Sequence, residues 1–171
     1  RVFPGKIHIG NGKIQKIEPV EEVVEDVYIL PGLVDGHIHI ESSMLSPQQF
    51  AKSAIQHGTV GTVSDPHEIA NVLGEEGIRF MVSDAGKSPL KINFGVPSCV
   101  PATPFETSGA VIDSEKVKQL IREDDFKYLS EMMNFPGVLA KDEEVMKKIK
   151  AAQAAGKPID GHAPGLLGDD L

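Results

Sequence analysis

A chain of 171 residues, 40% hydrophobic and 25% charged, has the make-up of a globular domain that can bury a core. Its net charge of −8 argues against phosphate-backbone binding as the main business, and a lone cysteine, Cys99, excludes an internal disulfide and a Cys-rich zinc site. With no apolar run long enough to span a bilayer and no signal-peptide pattern, the expectations are a small neutral substrate, no membrane and a reducing cytoplasm.

The chain begins at Arg1 with a hairpin pattern, in which Lys6-Ile7-His8-Ile9 and Lys13-Ile14-Gln15-Lys16-Ile17 flank the turn pair Asn11-Gly12. The acidic run 18–26 reads as a solvated connector, and Val27-Tyr28-Ile29-Leu30 as a short strand broken by Pro31-Gly32. From Leu33 the pattern alternates apolar strands with amphipathic helices, which predicts a parallel α/β architecture. Strands are predicted at 33–40, 61–65, 91–96, 128–132 and 158–163. Ser46 with Pro47 starts one helix that stops before Gly58, Ser114 starts another, and Asp142 starts a third that Gly156 ends. Between Asp65 and Gly86 a helix or a broken pair is predicted, because Gly74 and Gly77 interrupt the pattern.

Polar residues recur at the C-terminal ends of these strands, where parallel barrels keep their chemistry. The first strand ends in His37-Ile38-His39, and alternation puts both imidazoles on one side, able to grip one cation. The second ends in Asp65-Pro66-His67-Glu68, the fourth carries Glu131, and the fifth ends in His162. A carboxylate in an apolar strand is costly without a cation or donors, which sets Glu131 apart. His8 and His57 read as ordinary residues on a hairpin face and at a helix end, and Cys99, Met132 and Met133 as packing. His39-Ile40-Glu41 matches half of the H-x-E and P-C-x-x-C zinc deaminase pattern, but one cysteine cannot supply the rest.

Pro31-Gly32-Leu33-Val34-Asp35-Gly36-His37-Ile38-His39 resembles the first-strand signature of the amidohydrolase superfamily. The blocks 39–45, 65–72, 97–103, Glu131-Met132-Met133-Asn134 and Gly161-His162-Ala163-Pro164-Gly165 resemble those of its adenine deaminase family, over nearly the whole chain from Leu30 onward. The resemblance implies a partial (β/α)₈ TIM-type barrel, about five of eight strands, at 31–171, with 1–30 part of a small β-sandwich. It implies that His37 and His39 bind one metal, that Glu131 bridges two, and that His162 binds the second. The cofactor is then a binuclear divalent centre, Mn²⁺ or Fe²⁺ with Zn²⁺ also compatible with nitrogen and oxygen ligands. The implied reaction is hydrolysis of adenine to hypoxanthine and ammonia, in a homo-oligomer, with Glu131 as the catalytic residue of this stretch. Asp65, His67 and Glu68 orient the purine or hold a further cation; the spacing decides neither.

A barrel of this type takes roughly 250 residues. The family's strand-six histidine and strand-eight aspartate have no counterpart here, and both chain ends read as cuts through a longer protein. The rival expectations are a hydrolase of cyclic amides, which would carry a strand-four lysine where Glu131 stands, and a fragment that binds metal without turnover.

Overall fold

The structure, a computed structural model, describes residues 2–22 and 27–170. The chain divides into two compact units, one up to Pro31 and one from Gly32 onward. In the first, strands β1 (Gly5–Gly10) and β2 (Lys13–Pro19) form an antiparallel hairpin. Asn11 and Gly12 turn the chain at φ of 53° and 71°, the left-handed pair that such turns require. Residues 23–26 of the acidic run lie outside the described residues.

The strand expected at 27–30 does not form. Val27, Tyr28, Ile29 and Leu30 are exposed and in no ladder among the described residues, and an extended segment without a neighbour gains no strand hydrogen bonds.

The second unit is a five-stranded parallel sheet in the order β3 (Leu33–Ile38), β4 (Thr59–Ser64), β5 (Lys91–Pro97), β6 (Phe126–Met132), β7 (Ile159–Gly161). Five flat strands would put β3 and β7 about 19 Å apart at the usual spacing. Yet His37 of β3 and Asp160 of β7 touch at 3.1 Å, so the sheet curls into an arc of a barrel. The central strands are buried on both faces, as parallel strands between layers are.

Helices α1 (Pro47–Gln56), α2 (His67–Ala85), α3 (Ser114–Leu120), α4 (Phe135–Leu139) and α5 (Glu143–Ala154) follow the strands. Ile78, Met81, Val117, Leu120 and Ala152 of α2, α3 and α5 pack with Val96, Phe126 and Leu129 of the sheet in one apolar core.

The caps refine the expected helix starts. Ser46 occupies the N-cap of α1 but makes no capping bond; Asp84 accepts the Gln48 N–H at 2.9 Å instead. Asp113, not Ser114, caps α3 by accepting from the Lys116 N–H, and Asp142 caps α5 by accepting from the Val145 N–H, each worth about 1 kcal/mol. Gly156 ends α5 at φ 66°. Helix α2 is two helical segments meeting at a kink at Gly74 (φ 60°, ψ −141°), the broken pair of the two expectations, whereas Gly77 stays helical.

Candidate metal centre

Each polar side chain of the site leaves the C-terminal end of a strand. His37 is in the last turn of the pleat of β3 and His39 just beyond it; Asp65 follows β4, Glu131 is near the end of β6, and His162 follows β7. His39 is followed by a single 3₁₀ turn, Ile40–Ser43, whose Ile40 is fully buried and anchors the strand end.

Glu131 is the hub. Its Oε2 lies 3.6 Å from His37 Nε2 and 3.4 Å from His39 Nε2, and its Oε1 lies 3.0 Å from His162 Nδ1. Its side chain is 12% exposed. The two imidazoles of the His-x-His pair also meet, Nε2 to Nε2 at 3.2 Å.

The far nitrogens fix what those near nitrogens can be. His39 Nδ1 sits 3.0 Å from the carbonyl of Asp65, which only accepts, so Nδ1 donates. His37 Nδ1 sits 3.1 Å from Asp160 Oδ2, a carboxylate oxygen that likewise accepts. In neutral imidazoles both Nε2 atoms then carry lone pairs. Two lone pairs and a carboxylate oxygen within 3.2–3.6 Å of one another repel unless a proton or a cation lies among them, and nitrogen and oxygen donors that converge in this way fit a divalent metal.

A second grouping overlaps the first. One ligand atom each from His39, Asp65, His67 and Glu131 lies within 4.8 Å of the others, which makes these four a potential metal-binding cluster. Asp65 is 1% exposed; its Oδ2 accepts from His67 Nδ1 at 3.2 Å, while Oδ1 is buried without a partner. Burial disfavours the charged His67 imidazolium, but Asp65, with Glu131 and Glu68 beyond, outweighs it and raises the pKa above the ordinary histidine value. Glu68 is set outward from this cluster and accepts from the Ser42 hydroxyl at 2.7 Å. Glu41 accepts from the Ile69 N–H at 3.2 Å, and burial pushes its carboxyl pKa up.

Thus His37, His39, Glu131 and His162 come together as one constellation, with Asp65 and His67 adjoining it. His57 ends α1, and His8 pairs with Glu18 at 3.1 Å on the hairpin. Cys99 is buried against Met132, 3.9 Å from its sulfur. Two features escape a linear reading. Asp160 reaches across the arc to His37, although the alternation Asp160-Gly161-His162 was a visible signal that it shares a side with His162. The backbone carbonyl of Asp65 orienting His39 leaves no mark in the sequence at all.

A cluster of potential metal ligands at the C-terminal end of a parallel barrel arc defines a class, and the comparison agrees with it. The amidohydrolase family model matches residues 28–170, and the chain belongs to that family. Within it, the chain is 62% identical over 171 residues to an adenine deaminase of Methanosarcina mazei and 61% identical over 171 residues to one of Methanosarcina barkeri. It is 55% identical over 170 residues to an adenine deaminase of Salinibacter ruber. These alignments cover 99–100% of this chain and 31% of each relative, so the chain spans about a third of their length.

Proposed function

We propose that the full-length protein hydrolyses adenine to hypoxanthine and ammonia with divalent cations held by this stretch. The single observation that carries the metal reading is the meeting of the His37 and His39 Nε2 atoms with Glu131 Oε2. The relatives' activity carries the choice of adenine.

In this reading His37 and His39 would hold one cation and His162 a second, with Glu131 shared by both, and Mn²⁺ or Fe²⁺ would be the metals, with Zn²⁺ as an acceptable substitute. Bound cations supply Lewis acidity and a coordinated water acidic enough to act at neutral pH. This chain's own residues do the rest of what is assigned here. Glu131 would neutralise the repulsion between two bound cations. Asp65 and His67, buried beside the centre, and Glu68, nearer solvent, present acceptors and a donor to an amino-purine edge. A homo-oligomer in a reducing cytoplasm, to which a lone buried cysteine is suited, completes the reading, and the charge of −8 speaks against a nucleic-acid partner. No described helix is long and apolar enough to cross a membrane.

The unpartnered, buried Oδ1 of Asp65 favours a second reading of the centre, in which a single cation sits among His39, Asp65, His67 and Glu131. The substrate proposal is tested by ammonia release from the metal-loaded full-length protein. Adenine should be deaminated, and adenosine, cytosine and dihydropyrimidines left intact. Turnover of dihydropyrimidines with adenine untouched would replace it with a cyclic-amide hydrolase.

A further inference from the structure

His37 and Asp160 stand on the first and last strands of the five-strand order, yet they are bonded to each other across the inside of the arc. We infer that Asp160 is a positioning residue for His37: it holds the Nδ1 proton, so that Nε2 is the lone-pair atom turned to Glu131. The inference rests on the metal reading above and assigns a role to a side chain outside the expected ligand set.

Both oxygens of Asp160 are spoken for. Oδ1 accepts from the Gly161 N–H at 2.8 Å, which pins the carboxylate to its own strand, and Oδ2 accepts from His37 Nδ1 at 3.1 Å. The His37 end is pinned as well, since its backbone N–H donates to Asp35 Oδ1 at 3.1 Å. The backbone of His37 and its ring Nδ1 are therefore each held before any cation arrives. His39 has the same device in another form, with the Asp65 carbonyl in place of a carboxylate. A ring nitrogen held by an oxygen fixes the tautomer, and a carboxylate also raises the basicity of the opposite nitrogen.

The geometry has a consequence for the arc. Asp160 on β7 and His162 just beyond it lie two residues apart, so one strand end supplies both a partner for Glu131 and the support for His37 on β3. Loosening Asp160 releases the ring on the far edge of the sheet without touching the Glu131 contacts directly.

The test compares wild type, Asp160→Ala and Asp160→Asn in the full-length protein, with Mn²⁺ affinity measured by competition against a chelator. The His37 tautomer is read by ¹⁵N NMR of histidine-labelled, metal-free protein. Alanine should weaken Mn²⁺ binding about 10–100-fold and shift His37 toward the Nε2–H tautomer. Asparagine keeps an acceptor, so it should preserve the tautomer and recover part of the affinity. Wild-type affinity in Asp160→Ala, or weakened affinity with an unchanged tautomer, overturns the inference. Should the alanine variant fail to fold, the asparagine variant decides: weaker binding supports the role, and wild-type affinity overturns it. If the wild type itself takes up no Mn²⁺, the metal reading falls instead, and the tautomer measurement alone decides on Asp160.

Discussion

Glu131 separates a metal site from a structural carboxylate, because it touches three histidines from two other strand ends. Glutamine keeps its size but is neutral and a weak ligand. If Glu131 holds cations, Glu131→Gln should lose more than about 100-fold in metal affinity, beyond the range typical of supporting residues, and lose activity with it, while the melting temperature of the metal-free protein stays put. If it is a structural acceptor, the same change should cost about 1–3 kcal/mol of stability and leave metal content intact. Metal analysis and thermal melts of the two proteins distinguish these. At this scale the sequence was informative wherever chemistry repeats every second residue, as in His37-Ile38-His39. It was silent on Asp160 as a partner of His37, because 123 positions separate them and only the curl of the sheet joins them.

Among the elements, strand positions were legible to within a few residues, since buried parallel strands are apolar runs between helices. Helix α4 was not, because Phe135–Leu139 is one short turn whose only marks are the Asn134 cap, which accepts the Gly137 N–H at 3.0 Å, and Pro136 in the first turn. The 27–30 segment departs from its composition for the opposite reason: β-branched residues signal a strand, but a strand needs a neighbour. Gly74 was legible as an interruption of α2, and its backbone explains why. At φ 60° and ψ −141° a side chain is strained, and a Cβ there would stand 2.9 Å from the Ala110 Cβ. Gly74→Ala should therefore destabilise the protein by about 1–3 kcal/mol. Gly86→Ala serves as the control, since Gly86 has helical φ/ψ and its nearest neighbour is 3.5 Å from a Cβ. Denaturant melts should show the loss only at Gly74; equal effects at both positions would contradict the strain.

On the scale of the molecule, the curled sheet brings strand ends that are distant in sequence into one centre, and this convergence is what a linear reading could only expect. Two ligand sets share His39 and Glu131 but differ in their other members. His37 and His162 complete the proposed two-cation centre, whereas Asp65 and His67 complete the single-cation alternative. Anomalous diffraction from crystals of the full-length protein loaded with Mn²⁺ separates them directly. The proposed centre predicts two peaks flanking the Glu131 carboxylate, one against His37 and His39 and the other against His162. A single peak among His39, Asp65, His67 and Glu131, with His37 and His162 free of metal, would contradict it.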